Sequence, residues 1–290
     1  MPSLKDLRTR IDSVKSTKKI TQAMKMVAAS KLRKAQDSVE SARPYAKKME
    51  HIVSNISNSF QDDSPGLLMG NGNKKNHLLI VITADRGLCG AYNSSIVREV
   101  RNIIRNLESE NKSVKIYCLG KKGADGIANY LDPNNLIKIK DIGKQGSTFH
   151  DAEIIAKEII SYYAQGSFDV CTIVYNHFQS VISQIVTSQT IIPYDLKGKE
   201  EALSDSGVFE YEPDESELLD MLLPKNIAVQ LYQAVLEANA SEQGARMTAM
   251  DNATRNAGEM IEKLTLSYNR QRQAMITKEL IEIVSGAEAL

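Results

Sequence analysis

The first sixty residues carry an apolar repeat that predicts pairing with another long helix. Between Ser3 and Phe60 the sequence has no glycine and a single proline, Pro44. Apolar side chains recur at alternating spacings of three and four residues, which is typical of a coiled-coil helix. They are Leu4, Leu7, Ile11, Val14, Ala28, Leu32, Ala35, Val39, Ala42, Ala46, Met49, Val53, Ile56 and Phe60. Ser3 and Asp6 have the spacing of a capping box, so we expect the helix to begin there.

The repeat is interrupted in the second quarter of this segment. The positions that should be apolar hold Lys18, Thr21 and Lys25. The apolar side chains of the interruption lie on another face of the helix, and they are Ile20, Ala23, Met24 and Val27. One partner helix cannot bury both faces. Either the coiled coil contains a stutter here, or a second partner contacts this segment, and the spacing leaves both interpretations open.

The C-terminal segment is the natural partner for the first helix. We predict a helix over residues 225–290, which contain no proline and only three glycines. At ~1.5 Å per residue it would be about 100 Å long, and two helices of this kind from opposite ends of the chain most simply pair antiparallel. Most of the predicted contact positions in the first part of this helix hold alanine, and most of those toward its end hold larger apolar side chains. They are Leu231, Ala234, Ala238, Ala245, Ala249, Ala253, Ala257, Ile261, Leu264, Ile276, Leu280, Ile283, Ala287 and Leu290.

Between the helical segments, short β-branched runs alternate with helical patterns, which predicts an open, largely parallel sheet. The predicted strands are residues 77–83, 115–119, 136–139, 170–175 and 181–187, with a candidate edge strand at 208–211, and the predicted helices are 92–107 and 151–163. The expected fold class is therefore α plus α/β: a long antiparallel coiled coil of the N- and C-terminal helices with a central Rossmann-like α/β domain. The predicted domains are a discontinuous shaft, residues 1–60 and 214–290, and an α/β domain, residues 77–213.

Composition excludes several classes of protein. The longest apolar run, residues 78–82, is far shorter than the ~18 residues of a membrane-spanning helix. The three cysteines are scattered, which argues against a disulfide framework and for a reducing compartment. The four histidines show no metal-ligand spacing. The 36 basic and 36 acidic side chains balance, so the whole chain is not a generic polyanion binder.

Charge is nevertheless concentrated at the start of the chain. Residues 1–36 hold ten basic and two acidic side chains. Such a segment is either a solvated helix face or a surface for an acidic partner. A transit peptide is a third interpretation, but it is disfavoured because the apolar repeat runs straight through the segment into residues 28–60. For that reason we expect a bacterial rather than an organellar protein.

A glycine-bearing turn follows the first predicted strand. Residues 83–93 read TADRGLCGAYN, and a strand-to-helix turn of this kind can hold a phosphate on its backbone N–H groups. However, Gly87 and Gly90 match neither of the common nucleotide-binding glycine motifs, which favours a tight turn with close packing. The same turn offers Cys89 as a nucleophile near Asp85 and Arg86, although no histidine lies close in sequence.

Four motifs resemble the gamma-subunit family of F-type ATP synthases, in order and over nearly the whole chain. They are residues 18–31 (KKITQAMKMVAASK), 83–90 (TADRGLCG), 240–250 (ASEQGARMTAM) and 268–286 (YNRQRQAMITKELIEIVSG). The resemblance is to the bacterial type. It implies a central rotor subunit whose coiled coil lies inside a ring of three alpha and three beta subunits, and whose α/β domain rests on the c-subunit ring beside the epsilon subunit.

The resemblance also implies roles for individual residues. Those expected to contact beta are Ile20, Met24, Val27, Arg246, Arg272, Gln273, Thr277 and Glu279, and those expected to contact the c ring or epsilon are Tyr211 and Glu212. Residues 281–290 would run in an apolar sleeve of the ring. The implied subunit transmits torque without catalysing a reaction itself, and neither a catalytic residue, a cofactor nor a metal is expected. It would lie at the cytoplasmic side of the cell inner membrane as a peripheral protein, or alternatively at the matrix side of the mitochondrial inner membrane.

Two other functions remain as alternatives from the residues alone. One is a nucleotide-binding enzyme that uses the turn at Gly87 and Gly90. The other is a basic coiled coil that binds nucleic acid, although the apolar side chains of residues 20–27 interrupt its basic face and aromatic residues are few.

Overall fold

A computed structural model describes residues 3–59, 66–130, 135–140, 148–194 and 215–288. The helices are α1 (Leu4–Ser59), α2 (Gly66–Met69), α3 (Tyr92–Ser109), α4 (Lys121–Ile127), a 3-10 turn (Ala128–Tyr130), α5 (Phe149–Ala164) and α6 (Glu215–Glu288). The strands are β1 (Asn76–Ile82), β2 (Ser113–Leu119), β3 (Leu136–Lys140), β4 (Val170–Phe178) and β5 (Gln184–Ile192). The chain divides into two compact units, residues 1–29 with 246–290 and residues 30–245, and α1 and α6 contribute to both.

The start of α1 is set by the capping box that the sequence predicts. The backbone N–H of Asp6 donates to Ser3 Oγ over 3.2 Å, and the backbone N–H of Ser3 donates to Asp6 Oδ2 over 3.0 Å. These two bonds satisfy donors that a helix terminus leaves without partners. The helix then continues through Pro44 to Ser59.

The start of α6 differs from the prediction. The helix begins at Glu215, ten residues before the predicted start, and includes Pro224. The added turns bury Leu219 and Leu223 in a cluster with Met49, Val53, Ile56, Leu68 and Tyr194. This apolar burial outweighs the hydrogen bond that a proline removes from a helix.

Within the described residues, the central sheet of the larger unit has five strands in the order β3-β2-β1-β4-β5. The first four are parallel, and β5 runs antiparallel to β4 at one edge. The largely parallel sheet is therefore confirmed. The predicted strand at residues 181–187 corresponds to β5, and both of its ends were wrong. Ser180 and Ser183 form the hairpin turn, and the strand runs to Ile192. Helix α4 and the short helix α2 were not predicted.

Helices cover both faces of this sheet. The alternating side chains of β1 point to the two sides, so Leu78, Ile80 and Ile82 pack with α5 and α6. Leu79 and Val81 pack with α3 and α4 on the opposite side. The first part of α6 is thus a core element of the α/β unit as well as a coiled-coil helix. The candidate strand at 208–211 lies outside the described residues.

Candidate functional site

In the smaller unit, α1 and α6 pair antiparallel. Thr254 Oγ1 donates to Thr21 Oγ1 over 2.8 Å, and Lys25 Nζ lies 2.6 Å from Asp251 Oδ1. A Cβ atom added at Gly258 would lie 3.3 Å from Lys18 Nζ. Residue numbers along α6 fall as those along α1 rise, which is the antiparallel pairing that the sequence predicts for the helices of this unit.

The polar positions of the interruption lie in the contact between these two helices. Thr21 is buried, as are Leu7, Ile11 and Ala28 at the same helical spacing. The alternation of three and four residues therefore continues through positions 18, 21 and 25 without a change of phase. The stutter interpretation is wrong, because polar side chains occupy the expected contact positions and no residue is inserted.

This pairing leaves an apolar patch on α1, made of Ile20, Met24 and Val27, which lie on one face at spacings of four and three residues. Ile20 is 60% exposed and Val27 is 57% exposed, while Met24 is partly buried. Met26 is exposed as well, but at 3.6 residues per turn its side chain lies on nearly the opposite side of α1 from that of Met24, so it is not part of the patch. A patch of this kind on one short stretch of helix is typical of a protein–protein contact.

The residues expected to contact beta near the C-terminus lie on α6. Arg272, Gln273, Thr277 and Glu279 are all exposed, and Thr277 Oγ1 donates to the Gln273 carbonyl over 2.9 Å. Arg246 is partly buried. Tyr211 and Glu212 lie outside the described residues.

The end of α6 extends past the helix with which it pairs. The pairing of Thr21 with Thr254 brings Leu4, the first residue of α1, level with Gln271. From Arg272 to Ser285, every residue of α6 is exposed, including six large apolar side chains. They are Met275, Ile276, Leu280, Ile281, Ile283 and Val284. These residues form the apolar end of α6.

In the larger unit, the glycine-bearing turn is held by bonds within the protein. Asn93 Oδ1 accepts from the Ala84 N–H over 3.0 Å, and Thr83 Oγ1 accepts from the Gly123 N–H over 2.8 Å. Asp85 accepts from the Lys121 N–H. Cys89 is buried, and its Sγ accepts from the side-chain amide of Asn93, which cannot act as a base. This geometry favours the tight-turn interpretation over a nucleophilic one.

Helix α6 fills the crevice in which open α/β sheets usually bind ligands. That crevice lies at the carboxyl ends of the strands where the strand order reverses, here between β1 and β4. Tyr92 Oη donates to the Ala238 carbonyl over 3.0 Å, and Ser241 Oγ donates to the Asn176 carbonyl over 2.9 Å. Asn176 in turn donates to the Tyr92 carbonyl. The backbone and side chains of α6 occupy the place that a nucleotide would need.

A buried carboxylate joins three elements of the larger unit, and sequence analysis missed it. The Glu237 side chain on α6 is only 1% exposed, and its carboxylate contacts His177 Nδ1 of β4. Arg43 Nη2 of α1 lies 4.0 Å from it, and Gln233 Nε2 donates to it over 3.3 Å. Burial, together with the Glu237 charge, raises the pKa of Tyr175 nearby. The sequence feature that could have revealed this buried carboxylate is a glutamate next to the alanine-rich contact positions of α6.

The chain matches known proteins over its full length. The family model described as ATP synthase matches residues 3–290. The ATP synthase gamma chain of Rhodospirillum rubrum is 53% identical over 300 residues, which cover all of both chains. That of Rhizobium leguminosarum bv. trifolii (strain WSM2304) is 54% identical over 299 residues, again with full coverage of both. The chain belongs to the ATP synthase gamma-chain family.

Solved structures show the same fold. A chain in the central stalk and c-ring of the Tetrahymena thermophila mitochondrial ATP synthase is 33% identical, with a TM-score of 0.61, and the match covers 81% of this chain and 99% of that one. A chain in the Euglena gracilis mitochondrial ATP synthase (OSCP, F1 and c-ring, rotational state 3) is 22% identical, with a TM-score of 0.71 and coverage of 99% and 94%. The second match concerns the fold alone.

Membership of the gamma-chain family confirms the resemblance that four motifs carry. The first lies on α1 within the helix pair of the smaller unit, and the second is the turn after β1. The other two lie on α6, at the crevice and at the apolar end. Within the part of this gamma-family chain that the structure describes, none of the helices contains an apolar stretch of membrane-spanning length.

Proposed function

We propose that this chain is the central rotor subunit of a proton-driven F-type ATP synthase. It transmits torque between the c-subunit ring in the membrane and the catalytic beta subunits, for ATP synthesis or hydrolysis, and it is not itself a catalyst. The observation that carries the proposal is the apolar patch of Ile20, Met24 and Val27. It remains exposed on α1 although α1 already has a partner helix of the same chain.

Partners of different kinds fit different surfaces of the chain. The residues that contact beta are Ile20, Met24, Val27 and Arg246. The basic side chains of residues 1–36 face carboxylates of the beta subunit. Charge attraction at partly wet contacts of this kind is modest, on the order of 1 kcal/mol, so it permits sliding rather than locking. A rotating shaft needs contacts of this strength.

The C-terminal part of α6 contacts the ring of three alpha and three beta subunits farther along the shaft from the α/β domain. Arg272, Gln273, Thr277 and Glu279 are exposed and polar, which suits contact with beta loops. The apolar end of α6 suits the apolar sleeve, because a helix end with six large exposed apolar side chains gains free energy from burial.

The α/β domain, residues 77–213, forms the foot of the rotor, and residues 1–60 and 214–290 form its shaft. Tyr211 and Glu212 contact the c ring or the epsilon subunit. The complex places the chain at the cytoplasmic side of the cell inner membrane as a peripheral subunit. The alternative is the matrix side of the mitochondrial inner membrane. No nucleic acid is a partner in this proposal.

A non-catalytic role is supported by the crevice between β1 and β4. Tyr92 and Ser241 hold α6 across it by hydrogen bonds, so nucleotide binding would require α6 to leave the sheet. Titration calorimetry of the chain with ATP and with NAD separates the two functions. The rotor proposal expects no stoichiometric tight binding, whereas such binding would favour the enzyme.

The direct test places a charge in the apolar patch. Met24→Lys should lower proton pumping per ATP hydrolysed in membrane vesicles that contain the assembled complex, because a lysine cannot be buried against beta without losing hydration. Met69→Lys is the matched control, since Met69 is an exposed methionine on α2 of the other unit. Unchanged coupling in the Met24 variant would count against the patch. Alpha and beta subunits should also dominate among the proteins that copurify with the native chain, and their absence would contradict the proposal as a whole.

A further inference from the structure

Helix α3 carries a row of arginines on the side turned away from the sheet. Ile96, Val100 and Ile104 are buried beneath the helix. Arg98, Arg101 and Arg105 follow one another at spacings of three and four residues, so they share the opposite face. Arg98 and Arg105 are exposed, and Arg101 is partly buried. We call these three residues the arginine row.

The arginine row has no acidic partner within the part of the chain that the structure describes. Glu99 and Glu108 are the acidic residues of α3, and neither forms an ion pair with the row. Among the positions three or four residues from a member of the row, Ser94, Asn102 and Ser109 hold uncharged side chains, and Glu108, three residues after Arg105, is the acidic one. Like charges at spacings of three and four residues lower the stability of a helix.

Some exposed basic residues on other helices of this chain pair with acids at the same spacing. Lys157 pairs with Glu153 on α5 over 3.0 Å, and Lys278 pairs with Glu282 on α6 over 3.5 Å. Lys122 pairs with Asp125 on α4 over 2.9 Å. The arginine row forms no such ion pair within the described residues, although Glu108 lies three residues after Arg105.

The central arginine of the row is held in place. Its guanidinium carbon lies 3.6 Å from the centre of the Tyr130 ring, in the 3-10 turn after α4. Stacking on an aromatic face restricts the side chain and leaves its N–H groups free to donate outward. A restricted side chain loses less conformational entropy when it binds a partner.

We propose that the arginine row is a docking surface for an acidic helix of a partner protein. The three residues span about 10 Å along the axis of α3. Carboxylates at the same spacing of three and four residues on a partner helix would face them one to one. The planar guanidinium forks would then bind those carboxylates through paired hydrogen bonds. This inference does not depend on the proposed rotor function.

The size of the row favours a protein over a membrane or a nucleic acid. Recognition of anionic lipid ordinarily uses clusters of about four to eight basic residues. Proteins that bind duplex DNA neutralise on the order of six to ten phosphates along an extended track. Three arginines within about 10 Å match a single short acidic segment better than either.

The test uses the full chain and a synthetic probe. The probe is an alanine-rich helical peptide with glutamates at spacings of three and four residues, and a second peptide of the same composition distributes its glutamates around the helix. Fluorescence anisotropy measures both affinities. We expect the first peptide to bind more tightly than the second. The double variant Arg98→Gln/Arg105→Gln should bind the first peptide at least tenfold more weakly, because it loses about two charge-assisted hydrogen bonds. Lys47→Gln/Lys48→Gln is the matched control, since it removes two exposed charges from α1, and it should bind like the unmodified chain.

Three results would overturn the proposal. The first is equal affinity for the two peptides, and the second is an equal loss in the arginine and lysine variants, since either would reflect charge attraction without a site. The third is binding to vesicles containing anionic lipid that needs Arg98 and Arg105 while the acidic peptide does not bind, which would identify a membrane as the partner. Circular dichroism of each variant checks the fold, and we expect no change because the replaced side chains are exposed.

Discussion

Lys25 and Asp251 form an ion pair, with Nζ 2.6 Å from Oδ1, at a position where a coiled coil ordinarily buries apolar side chains. Both side chains are about half exposed, so the pair contributes little to stability. Next to it, Thr21 and Thr254 contact each other through their hydroxyl groups. The helix pair is therefore held by polar contacts in this stretch, while its apolar side chains at Ile20 and Val27 remain available to a partner.

The buried carboxylate of Glu237 predicts an asymmetry between two substitutions. His177→Ala should lower the free energy of unfolding by about 2–4 kcal/mol, because it leaves a buried negative charge with less compensation. Glu237→Leu should cost less, since Arg43 and His177 are each about two-fifths exposed and can be solvated. Urea denaturation followed by circular dichroism measures both. A larger loss in the Glu237 variant would contradict this account of the cluster.

Gly120 is expected to be intolerant of a side chain. Its φ is +104°, and an added Cβ would lie 2.1 Å from the backbone carbonyl oxygen of Thr83. Gly120→Ala should therefore destabilise the protein by more than about 3 kcal/mol, since neither backbone can move without breaking the sheet. Gly166→Ala is the control, because Gly166 has a φ of +69° and open space around it, and it should cost only about 1 kcal/mol. Thermal unfolding distinguishes the two variants. Similar losses of stability would show that the positive φ, and not the contact with Thr83, determines the cost of a side chain.

Asp169 predicts a loss of stability in acid. Burial alone would raise its pKa, but hydrogen bonds from the Asn71 side chain and the Asn76 and Lys75 backbone outweigh burial and hold the pKa below the ordinary value of 3.8. A lowered pKa in the folded state adds stability that is complete above 3.8 and disappears as the pH falls through the folded value. Asp169→Asn should cost about 1–3 kcal/mol at neutral pH.

The measurement that checks this is the difference in unfolding free energy between the unmodified chain and Asp169→Asn at several pH values. The difference should shrink below pH 3.8. A difference that stays constant down to the acid limit would mean that the Asp169 charge is not what stabilises the loop around Asn71.

Removal of the last ten residues, which include part of the apolar end of α6, should separate stability from function. Deleting residues 281–290 should leave the thermal unfolding of the chain unchanged, because Ile281, Ile283 and Val284 are exposed and contribute no core. If the rotor proposal holds, the deletion should lower the efficiency of coupled ATP synthesis in vesicles without preventing assembly. A complete block of assembly would require a different account of this end.

Local sequence signals predicted much of the fold. The capping box of Ser3 and Asp6 set the start of α1, because both partners lie within one helical turn. The β-branched run of residues 78–82 predicted a buried central strand, since such side chains favour extended structure and burial on both faces. The motifs on α1 and α6 predicted the family. The contact roles of Arg246, Arg272 and the other expected partner residues stay predictions.

The short elements and the ends were harder to predict. Helix α4, with two glycines in seven residues, carries little helical propensity, and packing against the sheet stabilises it. Pro224 suggested a boundary that burial of Leu219 and Leu223 overrode. In both cases tertiary contacts outweighed a local preference.

The sequence by itself determined that two long helices, the individual strands of the sheet and a glycine-bearing turn form, because each depends on neighbours within a few residues. Only the tertiary structure decided that Lys18, Thr21 and Lys25 face the partner helix, that α6 closes the crevice beside Tyr92, and that Glu237 is buried against Arg43 and His177. Those outcomes depend on side chains far apart in the chain. A spacing pattern records which residues share a face, but burial is fixed by what packs against that face.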